Sequence, residues 1–150
     1  MPKLVRVIIG SKSDQKQAEK ILEYLELFKI EYDFYISSAH RKPLQTGELA
    51  RNAKAEGIEV IIAGAGMAAH LPGVVASYTE LPVIGVPFQG ATLSGEDALL
   101  SIVQMPTGIP VATVAINGGK NAAILAAQIL ALKHKEIEMK LIAFREELSK

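Results

Sequence analysis

Short apolar runs alternate along the chain with longer segments in which apolar residues recur every three or four positions. Leu4-Val5-Arg6-Val7-Ile8-Ile9 reads as a buried strand. From Asp14 to Phe28, the residues Ala18, Ile21, Leu22, Leu25 and Phe28 fall on one face of a helix whose other face is charged. Glu31 to Ser37 is a second strand, less apolar and suited to a place near a sheet edge. Pro43 to Glu56 predicts the next helix, with Pro43 in its first turn and Gly57 just past its end. Val60-Ile61-Ile62-Ala63 is a third strand, followed by a helix over about Ala68 to Tyr78 whose start is blurred by Pro72 and Gly73. Val83 to Val86 is a fourth strand and Pro110 to Ile116 a fifth. Between them Ser94 to Val103 predicts a helix capped by Ser94, with Glu96 and Asp97 in its first turn.

The first, third and fourth strands are continuous apolar runs, as expected of a parallel sheet covered on both faces. The strand–helix alternation points the same way. The expected fold is α/β: one domain over residues 1–150, a three-layer, flavodoxin-like, doubly wound sheet of five parallel strands. Two C-terminal helices follow. Asn121 to Leu132 is apolar nearly all round, and Glu136 to Leu148 carries one stripe at Ile137, Leu141, Phe144 and Leu148. The pair either forms a packing arm onto a neighbouring subunit or closes a layer of its own domain.

Composition sharpens this picture. Apolar residues make up 49% of the 150, yet aromatics only 5%, with no tryptophan, and mean hydropathy is +0.24. That surplus of Ala, Ile, Leu and Val suits surface buried against copies of the chain. Sixteen basic residues balance sixteen acidic ones. No global basic excess is available for nucleic acid or for an anionic membrane surface. The absence of cysteine excludes disulfides, thiolate nucleophiles and Cys-based metal centres. Met-Pro-Lys-Leu-Val-Arg-Val has no signal-like apolar stretch, and no run is long enough for a bilayer. A soluble, cytoplasmic protein without membrane or nucleic-acid partners is expected.

In an open parallel sheet, ligands bind beyond the carboxyl ends of the strands. Four loops fall there: Gly10-Ser11-Lys12-Ser13-Asp14, Ser37-Ser38-Ala39-His40-Arg41-Lys42-Pro43, Gly64-Ala65-Gly66-Met67-Ala68-Ala69-His70-Leu71-Pro72-Gly73, and Pro87-Phe88-Gln89-Gly90-Ala91-Thr92-Leu93-Ser94-Gly95. In the first, Ser13 or Asp14 serves as a helix cap, or hydroxyls and free N–H groups meet a phosphate while the aspartate meets a sugar diol. The glycine patterns of a Walker loop and of a dinucleotide fold are both absent. Arg41 suits a bidentate grip on phosphate and His40 a proton transfer near neutral pH, against the alternative of a solvated turn. His70 either takes part in the chemistry or holds its loop by hydrogen bonds. No His/Asp/Glu cluster has metal-ligand spacing, so no metal is expected. A receiver domain would need an aspartate after the third strand, where Ala63-Gly64-Ala65-Gly66 stands, and a flavin carrier would need more rings than Phe88 and Tyr78. A non-catalytic binder of a phosphorylated metabolite stays open beside an enzyme.

Taken together, Gly10-Ser11-Lys12-Ser13-Asp14, Ser38-Ala39-His40-Arg41, Ala63 through Gly73, Leu93-Ser94-Gly95 and Ser101-Ile102-Val103-Gln104-Met105-Pro106-x-Gly108-Ile109-Pro110 closely resemble the PurE family. The order and spacing run from Val7 to about Leu132. The resemblance implies the class I activity, N5-carboxyaminoimidazole ribonucleotide mutase of purine biosynthesis, over the class II carboxylase that uses CO2 directly. It implies His40 as the catalytic histidine and Ser11, Ser13, Asp14, Ser38 and Arg41 as substrate-binding positions. Gly66, Ala68, Ala69, His70 and Leu71 match the loop beside the base and the CO2 site. It further implies a small-molecule ribonucleotide substrate, a homo-octamer, and no metal or organic cofactor. One departure is the short Asn117-Gly118-Gly119-Lys120-Asn121 loop, where many class I members are slightly longer.

Overall fold

The computed structural model describes residues 2–150. Five parallel strands form one sheet in the order β2-β1-β3-β4-β5. They are β1 (Val5–Ile9), β2 (Tyr32–Ile36), β3 (Val60–Gly66), β4 (Val83–Phe88) and β5 (Ala112–Thr113). The helices are α1 (Gln15–Leu27), α2 (Pro43–Arg51), α3 (Leu71–Ser77), α4 (Glu96–Val103), α5 (Gly119–Ala131) and α6 (Lys135–Leu148). Register aligns Val5 with both Tyr32 and Val60. Strand order reverses between β1 and β3, which opens a crevice where their following loops part.

Alternation along β1 divides the interior into two cores. Val5, Val7 and Ile9 face α1 and α5, whereas Ile8 packs with Ala50, Val75, Ala98 and Ile102 from α2, α3 and α4. β2 is the partly exposed edge that its composition predicts. The reading of β1 as wholly apolar fails at Arg6, which is 1% exposed. Its Nε and Nη2 donate to both carboxylate oxygens of Asp33, its register partner, at 3.0 and 2.8 Å. Nη1 donates to the Leu49 carbonyl at 2.8 Å, and Glu56 completes the cage. Burial works against the charge, but the hydrogen bonds Arg6 donates to Asp33 and Glu56 outweigh it and hold the guanidinium pKa above its ordinary value.

Several expected boundaries move. α2 stops at Arg51, and a 3₁₀ turn over Lys54–Glu56 leads to Gly57, whose φ of +93° ends the segment as expected. β3 runs on to Gly66, because Gly64, Ala65 and Gly66 continue to pair with β4. β5 shrinks to two residues at the far edge: Pro110, which lacks an N–H to donate, stands outside the ladder, and beyond Thr113 only single bonds from the Val114 and Asn117 N–H groups reach β4. Ser94 does not cap α4. Leu93, Ser94 and Gly95 all have positive φ, and α4 begins at Glu96 without a side-chain cap.

α5 turns inward. Ala122, Ala123, Ala126, Ala127 and Leu130 are fully buried against the sheet and α1, so this helix closes a layer of its own domain. Small side chains permit that close approach. α6 packs outside it, with Phe144 edge-on to Phe28 and Tyr24 at 5.4 and 6.0 Å. What remains outward on this arm is Leu132, Met139, Ile142 and Leu148. Among the described residues, no helix is long and apolar enough to cross a membrane.

Candidate active site

The loops after β1, β2, β3 and β4 meet around a cleft of about 620 Å³ at the carboxyl edge of the sheet. Gly10 donates its N–H to the Gly64 carbonyl at 3.2 Å, which brings the first and third loops together at the strand-order reversal. Ser11, Ser13 and Asp14 line the cleft just ahead of α1, Arg41 just ahead of α2, and His70 and Leu71 at the start of α3. Helix N-termini carry unpaired N–H groups and partial positive charge, so this edge suits an anion.

In the first loop, a 3₁₀ turn over Lys12–Asp14 precedes α1. Its cap is Ser11, whose Oγ accepts from the Ser13 N–H at 3.2 Å; neither Ser13 nor Asp14 caps with its side chain. Both are thereby left facing the cleft. Partial burial pushes the Asp14 carboxyl above its usual range.

The second loop is a tight turn. The Lys42 N–H donates to the Ser38 carbonyl at 2.8 Å and the Arg41 N–H to Ser38 Oγ at 3.1 Å. His40 and Arg41 project from its outer side, both exposed. Arg41 forms no ion pair among the described residues, so its guanidinium is available to a ligand.

The third loop is built for close backbone approach. Met67 adopts φ +55°, and a Cβ on Gly66 would stand 3.3 Å from the Phe88 carbonyl. Ala65, Gly66 and Ala68 give one wall small side chains only. His70, at its end, meets the second loop: His70 Nδ1 lies 2.8 Å from His40 Nε2, with ring centroids 4.8 Å apart. One proton occupies that gap, so one of the two nitrogens donates and the other accepts.

Every expected site residue lines the cleft except Ala69, which is 1% exposed and packs beneath the loop beside Leu71 and Val75. Its place is in the core, because α3 must seat on the sheet there. Sequence reasoning missed Gln89 as a wall residue and Asn117 as its support. Asn117 Oδ1 accepts from the Gln89 N–H at 3.0 Å, and its Nδ2 donates to Gln89 Oε1 at 3.3 Å. The short loop at Asn117 thus braces the cleft, with Asn117 at a left-handed φ of +59° that asparagine tolerates; the Asn117-Gly118 turn pair was the available sequence signal. The third histidine lies elsewhere. His134 Nε2 is 3.1 Å from Glu59 ahead of β3, at the opposite edge of the sheet. Burial of Glu59 disfavours its charge, but hydrogen bonds from His134 and Lys133 prevail and lower its pKa. Among the described residues, no three His, Asp or Glu side chains gather as metal ligands.

The family model described as AIR carboxylase matches residues 4–150. The chain belongs to that family. It is 57% identical over 150 residues to the N5-carboxyaminoimidazole ribonucleotide mutase of Thermotoga maritima, covering 100% of this chain and 87% of the relative. The corresponding mutase of Pyrococcus abyssi is 55% identical over 150 residues, covering 100% and 86%. Among solved structures, PurE of Treponema denticola superposes with a TM-score of 0.90 at 34% identity, covering 98% of this chain and 92% of that one. The AIR carboxylase family is therefore shared along the whole described chain, and its fold carries the cleft.

Proposed function

We propose that this chain is an N5-carboxyaminoimidazole ribonucleotide mutase: it moves a carboxylate from the exocyclic nitrogen of an aminoimidazole ribonucleotide to ring carbon C4. The observation that carries the reading is the His40–His70 pair, bonded at 2.8 Å beside a wall of glycine and alanine in one cleft. Full-length identity above half to proteins named as this mutase supports it.

The chemistry fits the residues. The N–C bond of the carbamate breaks, its electron pair returns to nitrogen, and CO2 is released. C4 is enamine-like; its electron pair attacks CO2 and forms the new C–C bond. The nitrogen takes up one proton and C4 gives one up to restore aromaticity. His40 performs both transfers as general acid and base, while His70 accepts or supplies the proton shared with it. Arg41, Ser13 and Ser38 hold the phosphate, Ser11 and Asp14 the ribose, and Ala65, Gly66 and Ala68 wall in the CO2. Confinement makes recapture effectively unimolecular. Leu71 closes the apolar side. The substrate is held without metal or organic cofactor.

A second reading, direct carboxylation of the aminoimidazole ribonucleotide, is favoured by the description of the family model. Purified protein supplied with the carbamate, or with aminoimidazole ribonucleotide plus bicarbonate, separates the two. Faster conversion of the carbamate is expected; faster conversion of the second mixture selects the carboxylase, and binding without turnover of either selects a carrier. We further propose a homo-octamer, supported by outward Leu132, Met139 and Leu100. Light scattering should give the octameric multiple of 16.1 kDa, and a monomeric mass would rule it out.

A further inference from the structure

Beneath the turn that carries His40 and Arg41 lie two buried hydroxyls, Ser37 and Thr46, 1% and 0% exposed. Apart from Arg6, they are the buried polar side chains among the described residues. Ser37 Oγ and Thr46 Oγ1 are 2.7 Å apart. Thr46 Oγ1 also lies 3.3 Å from the Ser38 carbonyl and 3.0 Å from the Lys42 carbonyl. One hydroxyl therefore touches both ends of the turn and the last residue before it.

Backbone satisfaction does not require this hydroxyl. The Ser38 carbonyl already accepts from the Lys42 N–H at 2.8 Å, and the Lys42 carbonyl from the Thr46 N–H at 3.1 Å. A buried hydroxyl is costly unless bonded, and an apolar side chain of the same shape would fill the space. What Thr46 adds is a side-chain tie from the buried start of α2 to Ser37, Ser38 and Lys42 together, beside the backbone bond that closes the turn and the bond Ser37 Oγ donates to Gln45 Oε1 at 3.1 Å. The turn projects His40 towards His70, and that 2.8 Å contact leaves little tolerance for movement.

We propose that Thr46, assisted by Ser37, is a positioning residue that sets the placement of His40 against His70. The effect on turnover rests on the mutase reading above; the effect on the histidine pair does not. The test is Thr46→Val, which keeps the branched shape and removes the hydroxyl, with Thr46→Ser as rescue. With the carbamate substrate, Thr46→Val is expected to lower kcat by about 10- to 100-fold, as small misplacements of reacting groups do. Thr46→Ser restores it. In the same proteins, imidazole nitrogen spectra of His40 should change in Thr46→Val and return in Thr46→Ser. If Thr46→Val does not fold, Ser37→Ala is read in the same way. A folded Thr46→Val with wild-type kcat and an unchanged His40 spectrum would overturn the proposal. If the wild type turns over neither substrate, the functional reading fails, and the spectra still decide the positioning claim.

Discussion

A hydrogen bond between two imidazoles constrains both of them. At 2.8 Å, one of His40 Nε2 and His70 Nδ1 donates and the other accepts, so the placement of each ring depends on the other. If His40 carries both proton transfers, His40→Asn should cut kcat by roughly 10²- to 10⁴-fold while the ribonucleotide still binds. Steady-state turnover and calorimetric binding of aminoimidazole ribonucleotide check this; turnover near wild type would remove His40 from the chemistry. Asp14 offers a prediction in pH. Its folded-state pKa is raised by burial, so the native state binds the proton more readily than the unfolded chain. Its ionisation therefore opposes folding, a penalty fully present above the folded pKa and relieved as pH falls below the unfolded value. Asp14→Asn should unfold at a higher temperature than wild type at pH 7, the difference closing near pH 3, and should bind substrate less tightly. Thermal unfolding at the two pH values, with KM at pH 7, tests both signs.

Elements were legible in the sequence where one periodicity dominated. The apolar runs of β1, β3 and β4 and the three-to-four spacing of α1 needed no tertiary information. Two readings from local pattern change in the structure. Ser94 looks like a cap, but the left-handed run at Leu93 to Gly95 delays α4 to Glu96. Arg6 looks like an intrusion into an apolar strand until Asp33 arrives beside it in register. The site was legible because four loops each carried a polar motif; Gln89 and Asn117 were not, since they find each other across 28 residues. The end of β3 shows how tightly this edge is built. A Cβ on Gly64 would lie 2.4 Å from the Phe88 ring. Gly64→Ala should therefore destabilise the fold by about 1–3 kcal/mol, as overpacking in a filled core does. Urea unfolding measures it, and an unchanged midpoint would contradict the packing described.

At the scale of the whole molecule, zero net charge and an anionic substrate are compatible. Arg41 and the hydroxyls of Ser11, Ser13 and Ser38 gather at helix N-termini on one edge, a local setting suited to an anion that needs no global basic excess. Confinement belongs to the same scale, because the cleft exists only where the loops of four strands converge. If CO2 is held between bond breaking and bond making, the carboxylate that leaves nitrogen is the one that arrives at C4. The most direct test is the substrate assay run with isotope: carbamate labelled at its carboxylate, converted in the presence of excess unlabelled bicarbonate. The account predicts that the label is retained in the C4 carboxylate of the product. Product carrying unlabelled carboxylate from the medium would contradict it.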